Sequence, residues 1–178
     1  APRWRSLSTT KEPRKPAPPV TITRLLRQKV RLSGQDGEDM VLHSFFEVHS
    51  KSYKGFYVDV GAHHPVRFSN TYFFYKKGWR GINIDATPGS ISLFDWFRKR
   101  DVNLEVGIGP ERDNLIFYCF DEPALNTFSK EIAQERASGG RYKIRKEVRV
   151  PIQPLSEILE QHLPSGQKID FLSVDVEG

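Results

Sequence analysis

The stretch GFYVDVGAHHP (residues 55–65) decides the fold class of this chain. Its first half is apolar at nearly every position, which predicts a strand that is buried on both faces in a parallel sheet. The segment SNTYFFYKKGW (residues 69–79) then predicts a helix, with Ser69 as its N-cap and Gly78 just after its end. A buried strand that leads through a short loop into a helix is the first half of a βαβ unit.

The segments downstream continue this alternation. They are, in order, RGINIDATP (80–88), SISLFDWFRKR (90–100), DVNLEVGIG (101–109), NLIFYCF (114–120), YKIRKEVRVPIQ (142–153), PLSEILEQHL (154–163) and KIDFLSVDVEG (168–178). The first, third and last of them predict strands of the parallel sheet, and the second and sixth predict helices. The remaining two predict an antiparallel pair with only turn and loop between its strands. The fold class predicted is therefore α/β, with a mostly parallel sheet and helices on both faces.

Charge is distributed unevenly along the 178 residues. Residues 1–31 contain nine Lys/Arg and one Glu, a net charge of +8, whereas the other 147 contain 18 basic and 21 acidic residues, a net charge of −3. Residues 1–20 also contain five prolines and no hydrophobic period, which predicts a disordered basic leader. We expect an N-terminal helical segment in residues 21–54 and the α/β domain in residues 55–178.

Composition narrows the classes of partner and compartment. The acidic body argues against a stable nucleic-acid partner, although a basic leader that touches nucleic acid or anionic lipid remains an alternative to a solvated one. No segment approaches the roughly 18–20 apolar residues that a membrane span needs. The only cysteine, Cys119, allows no intrachain disulfide, so the sequence predicts a reducing, cytoplasmic setting.

Acidic residues recur where the predicted parallel strands end. Asp59 lies near the end of the first strand and Asp85 at the end of the second, Asp175 and Glu177 belong to the fourth, and the third ends in GIG (107–109). The carboxyl ends of parallel strands meet at one edge of a sheet, which is where ligands bind. A buried carboxylate is costly unless it is paired. We therefore expect a ligand that is cationic or rich in hydroxyl groups.

The spacing of Gly61 and Asp85 favours a nucleoside ligand. Gly61 lets the backbone approach a ligand closely, and Asp85 occupies the position at which nucleoside-binding sheets place the acid for the ribose hydroxyls. The G-x-G-x-x-G loop for a pyrophosphate is absent. S-adenosyl-L-methionine has a ribose and no phosphate, and its amino group and sulfonium would suit Asp59. The alternative is that Asp59 and Asp85 merely cap loops.

Three segments carry a resemblance to a known family. FYVDVGAHHP with SNTYFFYKKGWRGINIDATP, the later IDFLSVDVEG, and the upstream SGQDGEDMVL together resemble the FkbM family of S-adenosylmethionine-dependent methyltransferases. That resemblance implies a Rossmann-like class I methyltransferase fold and methyl transfer to a hydroxyl, commonly on a sugar or polyketide. It thus implies a small-molecule or glycan acceptor.

The resemblance also assigns residues to the cofactor. The assignments are Asp59, Gly61 and Ala62 at the methionine end, Asp85 at the ribose, and Ala86 and Thr87 near the adenine. Asn70, at the start of the predicted helix, either binds the cofactor carboxylate or simply caps the helix.

Candidate catalytic residues are Asp175, Glu177 and His63. Asp175 and Glu177 match the family's D-x-E-G segment, and alternate strand positions point the same way, so both could face one acceptor hydroxyl and take its proton. The alternative is loop capping at the strand end. Two carboxylates alone would leave a divalent cation under-coordinated, so no metal is predicted.

The chain departs from the family pattern directly after its first motif. Many relatives have a second glycine there, where this chain has HHP (63–65). Proline has no N–H, so fewer loop amides can reach the cofactor carboxylate. One of the two histidines, for which we name His63, is expected either to compensate or to serve the acceptor site.

The sequence thus predicts an S-adenosylmethionine-dependent O-methyltransferase. The alternatives are a non-catalytic binding or scaffold module that keeps the fold and, more weakly, a nucleic-acid methyltransferase. The resemblance implies the strand order 3-2-1-4, with the fourth strand as an open edge. We expect apolar side chains on both faces of that strand, and the C-terminal strands of the fold to lie beyond Gly178.

Overall fold

A strand-and-helix alternation follows the opening segment in the computed structural model, which describes residues 42, 44, 46 and 52–176. The elements are β1 (Phe56–Val60), α1 (Tyr72–Lys76), β2 (Arg80–Asp85), α2 (Ile91–Phe97), β3 (Val102–Glu105), β4 (Gly107–Ile108), β5 (Asp113–Phe120), a 3₁₀ turn (Pro123–Leu125), α3 (Lys130–Ser138), β6 (Ile144–Gln153), α4 (Leu155–His162) and β7 (Phe171–Val174). The leader (1–20), most of segment 21–54, and Glu177 lie outside the described residues.

The strands form two sheets. The first has the order β3-β2-β1-β7 and is parallel throughout, which confirms the predicted order 3-2-1-4. The second has the order β4-β6-β5, in which β5 and β6 are antiparallel. The prediction of an α/β fold with a mostly parallel central sheet is confirmed. None of the helices in the described part of the chain is both long and apolar enough to cross a bilayer.

The two faces of the parallel sheet differ in chemistry because alternate strand residues point to opposite sides. One face is apolar: Val58, Ile82 and Ile84 pack with Ile158 of α4. On the other face Tyr57, Asp59 and Asn83 are all buried although they are polar. Buried polar groups require partners, and those partners, described below, form the candidate site.

An aromatic cluster packs α1 against the edge of the sheet. The Phe74 ring centroid lies 4.9 Å from both Trp79 and Phe171, and Phe46, a helical residue upstream, lies 5.0 Å from Trp79. Offset and edge-to-face aromatic pairs of this kind stabilise beyond their buried area. The cluster thus joins the upstream helix, α1 and β7.

Strand β7 is an edge strand, since it pairs only with β1 among the described residues. It is the open edge expected for the fourth strand, and its apolar side chains lie on both faces of the sheet. Leu172 and Val174 are 50% and 57% exposed, whereas Phe171 packs in the aromatic cluster. No described element covers the face on which Leu172 and Val174 lie, and that leaves the apolar face of the sheet open at this edge.

The prediction of only turn and loop between β5 and β6 is wrong, because the helix α3 lies between these strands. Its sequence is strongly polar and Ala133 is its only fully buried residue, so no apolar stripe signals it. What starts this helix is a local cap, in which the Ser129 Oγ accepts a hydrogen bond from the Ile132 N–H at 3.2 Å.

Two predicted boundaries shift. The third parallel strand ends at Glu105 instead of in GIG (107–109), since Gly107 and Ile108 leave that sheet to pair with β6. Helix α1 begins at Tyr72, with Thr71 in the N-cap position where Ser69 was predicted. The Ser69 hydroxyl still accepts from the Tyr72 N–H at 3.1 Å. Gly78 follows α1 with φ +94°, as a glycine just past a helix end is expected to do.

Candidate functional site at the carboxyl edge of the parallel sheet

Every strand of the parallel sheet brings a carboxylate to the same edge. Asp59 is the penultimate residue of β1, Asp85 the last of β2 and Glu105 the last of β3, and Asp175 follows β7 directly. Asp59 and Asp85 are buried, whereas Glu105 and Asp175 are exposed. Glu105 was missed as a strand-end acid because the third strand was extended to residue 109. The edge is therefore an acidic rim with two solvent-shielded carboxylates in its floor.

Asp85 is oriented by two backbone amides. Its Oδ2 accepts from the His63 N–H at 2.7 Å and its Oδ1 from the Thr87 N–H at 2.8 Å. The loop-capping role raised as an alternative is thus present. Each carboxylate oxygen has a second lone pair, however, so both can still accept a hydroxyl proton from a ligand. The two amides fix the carboxylate in one orientation, as a residue that binds a diol needs.

The loop after β1 directs its own amides inward. The N–H groups of Gly61 and Ala62 donate to the Ile84 carbonyl at 2.9 and 3.1 Å, and that of His63 donates to Asp85. The His64 N–H donates to the Ala62 carbonyl at 2.5 Å. The N–H groups of Val66 and Arg67 donate to His64 Nδ1 at 3.1 and 3.0 Å. Pro65 has no N–H. This loop therefore has no free amide for a ligand carboxylate. Pro65 was expected to reduce the number of available loop amides, and the internal hydrogen bonds occupy the rest.

The two histidines of this loop have different surroundings. The His64 ring accepts two amide hydrogens at Nδ1, and burial, followed by the charges of His63 and Arg67, lowers the pKa of His64. His64 is thus a neutral ring that holds the turn. His63 has an exposed side chain and a φ of +52°, which non-glycine residues seldom adopt. Of the two, His63 is the one whose ring can meet an acceptor.

Gly61 is required by a close approach of two chain segments. Its φ is +78°, and a Cβ at this position would lie 1.9 Å from the Asp175 carbonyl oxygen. The Asp175 N–H in turn donates to the Val60 carbonyl at 2.9 Å. Because these contacts join the ends of β1 and β7, they place Asp175 beside Asp59. Its negative charge is one of the influences that raise the pKa of Asp59.

Asp59 is a buried acid with hydroxyl partners. The Thr71 hydroxyl donates to its Oδ2 at 2.7 Å. Burial raises the pKa of Asp59 to about 6, against the opposing effects of the Thr71 bond, the Arg98 charge and a hydrogen bond from Ser173. A carboxylate whose pKa lies near 6 is mostly ionised at neutral pH. Because Asp59 is already buried, pairing it with a cationic ligand group requires little further desolvation of the carboxylate.

Asn70 lies between this acid and β7. Its Nδ2 donates to the Ser173 Oγ at 3.4 Å, and its Oδ1 is buried without a hydrogen-bond partner among the described atoms. The alternative that Asn70 caps α1 is wrong, because the Ser69 hydroxyl accepts the Tyr72 amide instead. An orphaned buried acceptor is costly, and an ammonium group of a ligand would satisfy it.

The loop after β2 contacts the second sheet. Ala86 packs with Phe128 against the cluster that contains Cys119, and the Asn126 Nδ2 lies 3.5 Å from the Thr87 Oγ1. Asn126 and Phe128 lacked any sequence signal for this position, since they follow a different strand. The second sheet thus forms one wall beside the residues assigned to the adenine.

Arg98 and Asp101 were also missed, although they organise the interior below Asp59. Both side chains are fully buried, with Arg98 Nη1 3.6 Å from Asp101 Oδ2. The sequence showed Arg98 only as one cation in a basic helix end. Nothing in FRKR (97–100) distinguishes the buried arginine from its exposed neighbours.

Two further features bound the site. Across residues 52–176, no three His, Cys, Asp or Glu side chains are grouped closely enough to hold a metal ion. A cleft of about 370 Å³ lies at the opposite edge of the sheet, where Lys54, Arg80 and Arg100 line it. We place the candidate site at the carboxyl edge, because that is where parallel α/β sheets bind their ligands.

Comparison with known proteins gives one match. The family model described as "Methyltransferase FkbM domain" matches residues 59–178, a span that begins at Asp59 and includes every acid of the rim. No curated protein and no solved structure matches the chain.

Proposed function

The chain belongs to the FkbM methyltransferase family, and on that premise we propose that it uses S-adenosyl-L-methionine to methylate a hydroxyl group of a small molecule or glycan. The observation that carries this proposal is the pair of buried acids, Asp59 and Asp85, at adjacent strand ends of the parallel sheet. They suit the amino group and the ribose diol of this cofactor respectively.

The donor and acceptor groups fit the cofactor's polar groups. Asp85 retains lone pairs for two hydroxyl protons, and its orientation is fixed by the amides of His63 and Thr87. Asp59 and the orphaned Asn70 Oδ1 are both hydrogen-bond acceptors, which suits an ammonium group. Gly61 and Ala62 support the floor of the site through their contacts with β2 and β7. Ala86 and Thr87 border the side on which the adenine would lie.

The cofactor's carboxylate needs a different partner from the one that a glycine-rich loop provides. All amides between Gly61 and Arg67 are committed within the protein. Arg67 has an exposed side chain on the same loop and is the nearest cation in sequence. We assign the carboxylate to a side chain, with Arg67 as the first candidate to test.

When bound, the cofactor would supply an electrophilic methyl group on a sulfonium. The chain's own residues would position the acceptor and take its proton. Asp175 is exposed beside Asp59, and His63 presents its ring on the neighbouring loop. Glu177, which lies outside the described residues, is the third candidate for this role. Alignment of the reacting groups would supply most of the rate, with proton transfer contributing a further factor.

A non-catalytic binding module is the second candidate function. One specific observation favours it: both oxygens of Asp85 already accept backbone amides, so Asp85 has a structural role without any ligand. A nucleic-acid methyltransferase is a weaker candidate, since the rim of this edge is acidic and would repel a phosphate backbone.

Two measurements separate these candidates. Calorimetric titration with S-adenosyl-L-methionine should show binding for the methyltransferase and none for a binding module that has lost the cofactor site. A methyl-transfer screen with labelled cofactor over glycans, lipids and RNA would then identify the acceptor. Cofactor binding without transfer to any hydroxyl-bearing acceptor would overturn the O-methylation assignment.

A further inference from the structure

We propose that Arg98 and Thr71 form a buried relay that holds Asp59 ionised and aimed at the cofactor's amino group, so that cofactor affinity falls in acid at a pH that the relay sets. This inference rests on the proposed function for its ligand but on the geometry of the cofactor-free protein for its mechanism. Arg98 and Thr71 are positioning residues in this scheme, because they act through Asp59.

The guanidinium of Arg98 is immobilised on all sides. It donates four hydrogen bonds: Nε to the Pro65 carbonyl at 2.8 Å, Nη1 to the Tyr57 hydroxyl at 2.9 Å, and Nη2 to the Ser69 Oγ at 2.8 Å and the Thr71 Oγ1 at 3.0 Å. Nη1 also forms an ion pair with Asp101. Arginine has no acceptor atom and stays protonated. Each of these contacts therefore has a fixed direction.

The fixed direction of the Arg98 hydrogen bonds determines to which atom the Thr71 hydroxyl donates its proton. Since Arg98 can only donate, Thr71 must accept from it, and the single hydroxyl proton of Thr71 is left for Asp59 Oδ2 at 2.7 Å. The neighbouring Ser69 Oγ, 3.2 Å from Thr71 Oγ1, must then act as the donor of that pair. A charge-assisted hydrogen bond of this kind favours the ionised carboxylate.

A second hydroxyl acts on Asp59 from β7. Ser173 is the register partner of Asp59 across the β1–β7 pair, and its hydroxyl lowers the pKa of that acid. The Ser173 Oγ also accepts from Asn70 Nδ2 at 3.4 Å. Thr71 differs from Ser173 because its hydroxyl lies 2.7 Å from Asp59 Oδ2 and is linked to a cation.

The charged and titratable groups around Asp59 come from several elements. Arg98, after α2, is the cation among those that act on it, while Asp175, after β7, and the phenol of Tyr57 on β1 are the anionic or ionisable neighbours. Asp101, on the far side of Arg98, shares that cation. One buried cation thus interacts with two carboxylates, and it acts on Asp59 through the Thr71 hydroxyl. Removing that hydroxyl should therefore make Asp59 harder to ionise.

The test compares Thr71→Val, which removes the hydroxyl, with Thr71→Ser, which keeps it. Carboxyl ¹³C NMR of the cofactor-free protein gives the titration midpoint of Asp59, and calorimetry with S-adenosyl-L-methionine from about pH 5.5 to 8.5 gives its affinity. We expect Thr71→Val to raise the midpoint by about one to two pH units, the equivalent of a lost hydrogen bond to a charged group. Thr71→Ser should return it to within about half a unit of wild type.

Affinity should change with the same pH dependence. At pH 6.5 Thr71→Val should bind roughly three- to 25-fold more weakly than wild type, the loss in ionised Asp59 that a shift of one to two units produces. That deficit largely disappears at pH 8.5, where Asp59 is mostly ionised in both. Ser69→Ala is the matched control, since Ser69 contacts Arg98 and Thr71 but does not contact Asp59, and it should shift the midpoint by less than half a unit. A purely structural role for Thr71 predicts a loss that is the same at every pH.

The outcomes are distinguishable from a failure of the proposed function. Absence of cofactor binding at any pH in wild type would refute that function, yet the NMR midpoints would still test the relay. An Asp59 midpoint that is unchanged in folded Thr71→Val would overturn the relay. If Thr71→Val does not fold, the wild-type Thr71 hydroxyl proton decides: its NMR shift should move with the Asp59 midpoint, and a shift that is insensitive to pH would equally overturn the relay.

Discussion

The guanidinium of Arg98 lies 3.6 Å from the carboxylate of Asp101, and both side chains are fully buried. Asp101 also accepts hydrogen bonds from the Tyr57 hydroxyl at 2.5 Å and the Gly81 N–H at 3.0 Å. A buried ion pair of this kind adds little stability relative to an apolar pair, but the loss of one partner leaves a charge that nothing compensates. The pair therefore makes the interior below Asp59 intolerant of single substitutions.

Arg98→Met should lower the free energy of unfolding by about 3–5 kcal/mol, because it leaves Asp101 and Asp59 buried without their cation. Arg112→Met is the matched control. Arg112 pairs with Glu157 at 2.5 Å, but its side chain is 60% exposed, and an exposed pair contributes only about 0–1 kcal/mol. Chemical denaturation of both variants checks the difference. Losses of equal size would contradict the burial-based argument.

Asp59→Asn should change the pH dependence of stability. Burial raises the pKa of Asp59 from its ordinary value of 3.8 to about 6, so the folded protein binds the Asp59 proton more tightly than the unfolded chain does. The stability that this proton contributes to the folded state is fully present below about pH 4 and is lost as the pH rises through 6. Asparagine is neutral throughout. Relative to wild type, the variant should therefore gain up to about 2–3 kcal/mol in unfolding free energy between pH 4 and pH 8. Denaturation at both pH values measures this gain, and parallel profiles would show that Asp59 has no raised pKa.

Asp85→Ala should weaken S-adenosyl-L-methionine binding by about 1.5–3 kcal/mol, the range for hydrogen bonds to a charged group. Glu105→Ala is the control, because Glu105 ends the next strand and also accepts a backbone amide, from Gly89 at 2.8 Å. It should alter the affinity by less than about twofold. Calorimetry on the folded variants gives both values. Equal affinities for Asp85→Ala and wild type would remove the ribose assignment.

Gly61→Ala should be strongly destabilising. The added Cβ would meet the Asp175 carbonyl oxygen at 1.9 Å, and φ is +78°. Gly166→Ala isolates the backbone component, since Gly166 has φ +74° and nothing within 4 Å of an added Cβ. We expect a loss of about 1–2 kcal/mol for Gly166→Ala, and a loss at least about 2 kcal/mol larger for Gly61→Ala. Thermal and urea unfolding of the two variants would reveal whether the β1–β7 contact is as close as described.

The sequence alone determined the order of the parallel strands and the edge at which the candidate site was placed. Val58, Val60, Ile82 and Ile84 lie in short segments that are apolar at most positions, and such segments are typical of strands buried on both faces of a parallel sheet. The acids Asp59, Asp85 and Asp175 follow from the same patterns, because the carboxyl ends of parallel strands share one edge. Gly61 was recognisable as a position at which the backbone can be approached closely, but the expected neighbour was a ligand, whereas the structure has the Asp175 carbonyl there.

Only the tertiary structure decided which polar residues work together. Arg98 reaches Ser69 and Thr71 across 29 and 27 residues, and Asn70 reaches Ser173 across 103, separations at which no periodicity operates. The direction of the Thr71 hydroxyl depends on a buried guanidinium that the sequence shows as one of three cations in FRKR. Local pattern fixes which face of an element is apolar, whereas the pairing of buried polar groups depends on which segments the packed core brings within hydrogen-bonding distance of each other.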